Sequence, residues 1–206
     1  MPKVRPNPGT RSVQWRLLVL CEGAKDKSES AYFKALINDR RNPDHRLEVK
    51  VVDTKKNTAR ELVREAKKLK ATNKDQVWVV FDKDGYTLHA QAFDQAAANG
   101  IKIAFSSICF EYWLLLHFGY TTRPFANCSE LIAYIRTEYG YDYDKSSPLT
   151  YAKTKHLLAQ AKTNAQRCRK YQLQSNPADF PIYEMNPYTN VDELVTAIEQ
   201  FSVEEA

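Results

Sequence analysis

Between residues 15 and 119, the sequence repeats one arrangement four times: a short strand-like run and then a segment with helical periodicity. Three of the runs are mostly apolar and are typical of strands buried in a sheet: WRLLVLC, QVWVVFD and IKIAFSS. The remaining run, RLEVKVVDT, is predicted to be a strand because Leu47, Val49 and Val51 alternate with other residues. The segments after the four runs carry apolar residues at helical spacing: SESAYFKALINDRR, TARELVREAKKLKA, TLHAQAFDQAAANG and CFEYWLLLHFG. This alternation predicts an α/β protein whose mostly parallel sheet is flanked by helices.

Beyond Gly119 the pattern changes to helices joined by irregular segments that are rich in tyrosine. A helix near the end of the chain is predicted by Asn190, a candidate N-terminal cap, and by an apolar stripe at Val191, Leu194, Val195 and Ile198. We therefore predict three parts, which are a flexible arm at residues 1–14, an α/β core at 15–119 and a mainly helical C-terminal extension at 120–206.

The composition is that of a soluble protein. Of the 206 residues, 27% are charged and 43% are hydrophobic, and no apolar run has the length that spans a bilayer. The first residues carry charges and prolines but no apolar signal-peptide core, so we expect a cytoplasmic protein without membrane partners. The net charge of +5 permits binding to nucleic acid without requiring it.

Basic residues are concentrated in two segments of the chain. One lies near the N-terminus, and the other is YAKTKHLLAQAKTNAQRCRKY in the C-terminal extension. In the second segment, Lys153 and Lys155 are candidates for contacts to a nucleic-acid backbone. The alternative is that this segment is only the solvated face of a helix.

The four cysteines show no spacing that is typical of a metal site. Cys21, Cys109, Cys128 and Cys168 form no Cys-x-x-Cys pair, so structural zinc is not expected. A disulfide framework is not expected in a chain of this size, and the compartment is predicted to be the reducing cytoplasm. Cys21 and Cys109 stand in apolar runs and are predicted to be buried thiols.

Paired negative charge follows the third predicted strand. Asp82 and Asp84 stand at the end of the apolar run in VWVVFDKDG, and Glu22 has the same place after the first strand. The carboxyl ends of parallel strands meet at one edge of a sheet, where ligands bind in open α/β folds. If the first and third strands are neighbours, three carboxylates converge there, and Mg²⁺ or Mn²⁺ would relieve their repulsion. A solvated turn is the alternative.

Two further acids are candidates for the same site. Glu29 begins the helix after Glu22, where it either stabilises the helix dipole or faces the same cation. Glu111 is the one carboxylate in the apolar segment CFEYWLLLHF, and its burial would be costly unless it is paired. It therefore either reaches solvent from a half-exposed helix or belongs to the site. His117, in the same segment, is predicted to be a satisfied core residue.

These segments resemble a known family. A strand ending in Glu-Gly, an acid-led helix and a strand ending in Asp-x-Asp are the layout of TOPRIM domains. More closely, the chain is similar to the RloB-like family, which comprises small TOPRIM-related proteins of bacterial restriction and phage-defence loci. The similar segments are LLVLCEG, SESAYFKAL, VWVVFDKDG, CFEYWLLLHFG and NPYTNV. One departure is Ser107-Ile108, which stands where the family has Asn-Pro.

The resemblance implies a nuclease that depends on Mg²⁺ or Mn²⁺, cleaves DNA or RNA (tRNA included) and acts with an ATPase encoded nearby. Asp82 and Asp84 would bind the metal, and Glu22 and Glu29 would be further ligands. Glu22 would also act as general base or acid, and Glu111 would belong to the catalytic site.

Two alternatives stay open. The stretch VVFDKDGYTL also resembles the strand end of haloacid-dehalogenase-like phosphatases, in which Asp82 would be the nucleophile. Two predicted strands precede this motif and Tyr86 replaces a small residue, and both features disfavour a phosphatase. The chain could also be a non-catalytic sensing or structural subunit.

Overall fold

A computed structural model of the chain describes residues 15–22, 28–40, 47–83, 88–145 and 147–201. Two predictions lie outside these described residues, namely the flexible arm at residues 1–14 and the position of Asp84. In the part of the chain that the structure describes, no helix is long and apolar enough to cross a membrane.

One sheet of five strands forms the centre of the protein. The strands are β1 (Trp15–Cys21), β2 (Leu47–Val52), β3 (Asp75–Asp82), β4 (Lys102–Ser107) and β5 (Tyr188–Thr189). Their order across the sheet is β2-β1-β3-β4-β5. The first four are parallel and β5 runs antiparallel to β4. The predicted α/β class with a mostly parallel sheet is therefore confirmed.

Helices flank the sheet and also make up most of the C-terminal region. They are α1 (Ser28–Asp39), α2 (Ala59–Leu69), α3 (His89–Ala98), α4 (Glu111–Phe118), α5 (Cys128–Tyr139), α6 (Thr150–Thr154), α7 (Leu158–Ser175) and α8 (Val191–Phe201). Local sequence sets several of their ends. Thr58 caps α2 by accepting a hydrogen bond from the backbone of Glu61, and Asn127 caps α5 through the backbone of Glu130.

Strands β1, β3 and β4 have two largely buried faces, which explains why their sequences are nearly continuous apolar runs. Strand β2 lies at the edge of the sheet, and its residues 48–52 are half-buried or exposed. On one face, side chains such as Val19, Val80 and Ala104 pack against α1, α4, α7 and α8. On the other face, side chains such as Leu20, Val79 and Phe105 pack against α2 and α3. Helix α4 lies inside the first of these clusters and is buried on all sides, so its sequence has no polar stripe.

The C-terminal region is joined to the sheet through Asn190. This residue immediately precedes α8, as predicted, but its side chain bonds to the sheet. Its carbonyl accepts a hydrogen bond from the backbone N–H of Phe105 at 2.7 Å, and its amide donates to the backbone oxygen of Ile103 at 2.9 Å. The predicted stripe on α8 is buried in the core, as expected from its spacing: Val191, Leu194, Val195 and Ile198.

Candidate active site at the carboxyl edge of the sheet

Glu22 and Asp82 lie at the same edge of the sheet on neighbouring strands. Strands β1 and β3 pair in parallel with Cys21 opposite Val80, and the backbone N–H of Glu22 donates to the oxygen of Val80 at 2.9 Å. Asp82 is the last residue of β3 and lies opposite Ser106 of β4. The sequence predicted that the carboxylates meet at one edge if the first and third strands are neighbours, and these strands are neighbours.

The end of β3 is held on both sides by backbone contacts. The N–H of Lys83 donates to the oxygen of Ser106 at 3.1 Å, and His89 Nε2 lies 3.2 Å from the backbone oxygen of Asp82. Side chains alternate along a strand, so Asp82 has the same orientation as Val80, which packs on the face covered by α1 and α4. Asp82 is therefore directed toward the face on which Glu29 and Glu111 lie.

Glu111 is fully buried at the start of α4 and is paired. Its Oε1 accepts a hydrogen bond from the Tyr143 hydroxyl at 3.0 Å and lies 3.3 Å from Lys145 Nζ. Its Oε2 lies 3.1 Å from Cys128 Sγ. The first turn of a helix also favours a negative charge. Of the two alternatives that the sequence left for Glu111, the structure excludes the solvent-exposed one.

Lys145 connects the acids of this edge and was not predicted from the sequence. Partial burial alone would lower the pKa of its ammonium group, but the negative charges of Glu111, Glu29 and Asp82 outweigh burial, so the pKa is raised. The residue stands in an irregular, tyrosine-rich loop, where no periodicity or spacing marks one lysine above another. Only its contact with Glu111 of α4 and its electrostatic interactions with Glu29 and Asp82, all distant in sequence, distinguish it.

Glu29 lies in the first turn of α1, as predicted, and is electrostatically coupled to the other acids. Burial of its carboxylate raises its pKa, and the charge of Glu111 raises it further. Ser28 Oγ donates to Oε2 of Glu29 at 2.9 Å and, with Lys145, acts in the opposite direction. The position of Glu29 is thus compatible with both alternatives, namely stabilising the dipole of α1 and facing a cation at this edge of the sheet.

No contact among the described residues joins Lys153 or Lys155 to these acids. Lys155 Nζ pairs with Asp39 Oδ1 at 2.7 Å, at the end of α1 opposite to Glu29, and ten helical residues span about 15 Å. Lys153 is exposed on α6. Their contacts to nucleic acid stay a prediction, and the structure does not bring either lysine to the carboxylate cluster.

The prediction for His117 is confirmed. The residue is fully buried in α4, with Nδ1 3.1 Å from the backbone oxygen of Trp113 and Nε2 3.3 Å from the Tyr32 hydroxyl. Burial lowers its pKa to about 4, so the ring is neutral at pH 7. It is a satisfied core residue.

The expectation for the cysteines was wrong in one respect. Cys109 and Cys128 are in disulfide contact, with Cα atoms 5.8 Å apart, whereas Cys21 is a free, buried thiol as predicted. Cys168 is also free and buried. The pairing of Cys109 with Cys128 was missed because the two residues come together only when α5 packs beside the start of α4. No local spacing encodes that contact.

The donors at this edge suit a hard divalent cation. Glu22, Glu29 and Asp82 offer carboxylate oxygens, which Mg²⁺ and Mn²⁺ prefer. Among the described residues, the acids, cysteines and histidines whose ligand atoms all lie within 4.8 Å of one another are Cys109, Glu111 and Cys128. The two sulfurs there are bonded to each other and are not ligands. Glu22, Glu29 and Asp82 do not form such a group of three. Mg²⁺ usually takes one or two carboxylates and completes its shell with water and phosphate.

Fold and site together define an α/β protein with carboxylates and a lysine at the carboxyl edge of its parallel strands. The chain belongs to the RloB-like protein family, whose model matches residues 17–198. This match covers most of the chain and confirms the resemblance found in the sequence. Comparisons with curated proteins and with solved structures give no match.

Proposed function

We propose that the protein is a metal-dependent nuclease that hydrolyses phosphodiester bonds in DNA or RNA, tRNA included. The observation that carries the proposal is the position of Lys145, whose Nζ lies 3.3 Å from Oε1 of the buried Glu111, where the charges of Glu29 and Asp82 also act on it. Several acids and a cation at the carboxyl ends of parallel strands match the needs of a phosphate-handling site. Membership of the RloB-like family supports the same function.

The metal would be held by carboxylates at the strand ends. Asp82 is the described member of the Asp-x-Asp pair, and Asp84, Glu22 and Glu29 complete the proposed set of ligands. When bound there, Mg²⁺ or Mn²⁺ would neutralise charge on the phosphate and lower the pKa of a bound water.

The remaining roles fall to the chain's own side chains. Glu22 would take a proton from the attacking water or return one to the leaving oxygen, because it is the acid that directly follows β1, the strand paired with β3. Lys145 would pair with a non-bridging phosphate oxygen. Glu111 is buried and holds Lys145 and Tyr143, so it is a positioning residue in this proposal.

The biological setting follows from the family resemblance. We propose a role in bacterial defence against phage, with an ATPase encoded nearby as the partner. Lys153 and Lys155 would contact the nucleic-acid backbone at a distance from the cleaved bond. A phosphatase with Asp82 as nucleophile would give no part to Glu22 or Lys145, and no contact described above favours it.

The role of Glu22 provides the test. We expect Glu22→Gln to stay folded and to bind nucleic acid, but to cleave it about 10² to 10⁴ times more slowly than the wild type, the usual effect of losing general acid–base help. Cleavage of DNA and RNA is measured with Mg²⁺ or Mn²⁺, with and without the ATPase partner. Glu138→Gln, at an exposed residue of α5, is the matched control. Equal cleavage rates for Glu22→Gln and the control would refute the role of Glu22, and a wild type that cleaves neither DNA nor RNA under any of these conditions would refute the nuclease proposal.

A further inference from the structure

Two cysteines that are distant in sequence meet beside the buried carboxylate of Glu111. Cys109 lies in the turn between β4 and α4, and Cys128 is the first residue of α5. Their Cα atoms are 5.8 Å apart, which is within the range that a disulfide requires. Cys109 is buried and Cys128 is half-buried, so Cys128 is the sulfur that a small molecule from solvent reaches first.

The redox state of this pair determines one hydrogen bond to Glu111. Cys128 Sγ lies 3.1 Å from Oε2 of Glu111. As a thiol, Cys128 has a hydrogen to donate to that oxygen, but in the disulfide it has none. Tyr143 and Lys145 both contact the other oxygen, Oε1. Oxidation therefore removes the Cys128 donor from Oε2 and leaves the partners of Oε1 in place.

We propose that Cys109 and Cys128 form a reversible dithiol–disulfide pair that reacts with low-molecular-weight disulfides and thiols and is energetically coupled to Glu111. In the oxidation, the Cys128 thiolate attacks one sulfur of a disulfide RSSR and releases RS⁻. The Cys109 thiolate then displaces a second RS⁻ from the mixed disulfide and closes the Cys109–Cys128 bond. The two thiol protons pass to the two RS⁻ products, and the pair loses two electrons to RSSR.

Coupling to Glu111 follows from linkage between the two groups. If the carboxylate accepts a hydrogen bond from the Cys128 thiol, it stabilises the dithiol over the disulfide, and a poorer acceptor must favour the disulfide. A change in this hydrogen bond of about 1 kcal/mol corresponds to a change of roughly fivefold in the equilibrium constant. Whether this coupling matters for cleavage rests on the function proposed above, in which Glu111 positions Lys145. The thiol–disulfide chemistry of Cys109 and Cys128 does not depend on that function.

The test measures the thiol–disulfide equilibrium and does not depend on cleavage. The full-length protein is equilibrated in glutathione buffers of stepped ratio, its free thiols are trapped by alkylation, and the modified cysteines are identified by mass spectrometry. We expect Cys109 and Cys128 to oxidise together while Cys21 and Cys168 stay reduced. Glu111→Gln should favour the disulfide about fivefold, and Glu138→Gln should leave the equilibrium unchanged.

A second variant gives the opposite shift at an exposed position. Lys145 has a side chain that is 57% exposed, so Lys145→Met should fold even if Glu111→Gln does not. Lys145→Met removes the positive charge beside Glu111, so the carboxylate becomes a better acceptor for the Cys128 thiol and the dithiol should be favoured. Lys67→Met, on the exposed face of α2, is the control. Cysteines that stay reduced in every buffer would overturn the proposal. So would equal equilibrium constants for wild type, Glu111→Gln and Lys145→Met, or stoichiometric Zn²⁺ on the reduced pair. Normal redox shifts without any cleavage would count against the nuclease alone.

Discussion

Lys145 is the residue through which the acids of the candidate site are connected. Its ammonium lies 3.3 Å from Oε1 of Glu111 and is influenced by the charges of Glu29 and Asp82. A cation in this position reduces the repulsion between neighbouring carboxylates. It can also pair with a phosphate oxygen, because more than half of its side chain is exposed. Both effects require the positive charge of the side chain.

Replacing this charge should therefore reduce cleavage more than stability. We expect Lys145→Met to lower the rate of nucleic-acid cleavage by about 10² to 10³, the usual cost of removing a group that stabilises developing charge. Its melting temperature should stay close to that of the wild type, because Glu111 keeps the hydroxyl of Tyr143 as a partner. Rate constants and thermal melts are compared with those of Lys67→Met. A Lys145→Met protein that cleaves as fast as this control would remove Lys145 from the mechanism.

At the scale of elements, the start of β3 is fixed by a charge pair at the opposite edge of the sheet. Arg16 Nε of β1 donates to Oδ1 of Asp75 at 2.8 Å, and the backbone N–H groups of Ala71 and Thr72 donate to Oδ2 at 2.7 and 2.8 Å. The hydrogen bond from Arg16 is the main reason why the pKa of Asp75 falls to about 2, and the two backbone donors act in the same direction against burial.

This depressed pKa predicts how stability depends on pH. The pKa of Asp75 is lower in the folded protein than its ordinary value of 3.8. Its contribution to the free energy of unfolding is therefore complete above about pH 4 and is lost as the pH falls toward 2. Asp75→Asn should cost roughly 1 to 3 kcal/mol at pH 7 and should show a smaller loss of stability between pH 4 and 2. Chemical denaturation at stepped pH measures both effects.

The comparison for Asp75→Asn is Asp94→Asn, which removes an exposed carboxylate from α3. This control should keep the wild-type dependence on pH in the acid range. The buried, neutral His117 also makes the protein less stable as the pH falls, because its pKa of about 4 is below its ordinary value of 6.5. Its contribution to stability is lost between about pH 6.5 and 4, above the range in which Asp75 acts. If Asp75→Asn and the wild type lose the same unfolding free energy between pH 4 and 2, the Arg16–Asp75 pair does not act as described.

At the scale of the whole molecule, the candidate site lies where two parts of the sequence meet. Glu22, Glu29, Asp82 and Glu111 come from the strand–helix repeats, whereas Tyr143 and Lys145 come from the region after Gly119. The same region supplies β5 to the sheet and α8 to the hydrophobic core on one of its faces. The C-terminal region therefore contributes to both the fold and the site.

Much of this arrangement could be predicted from local sequence. Strand–helix alternation gave the class of fold, and acids at the ends of apolar runs gave Glu22 and Asp82, because strand polarity places such residues at one edge. Burial of Glu111 and contacts of Lys145 and the Cys109–Cys128 pair could not be predicted in the same way. They depend on long-range packing of α4 against segments more than 15 residues away, and single-sequence periodicity carries no signal for such contacts.

The most direct test of the account is whether the strand-end acids bind a divalent cation. Calorimetric titration with Mn²⁺ is carried out on the wild type, on the double variant Asp82→Asn plus Asp84→Asn, and on the control Asp94→Asn plus Asp179→Asn. The control removes the same charge from two exposed positions. We predict that the wild type and the control bind Mn²⁺ with similar affinity and that the Asp82/Asp84 variant loses this binding. Equal Mn²⁺ binding by all three proteins would contradict a metal site at this edge of the sheet.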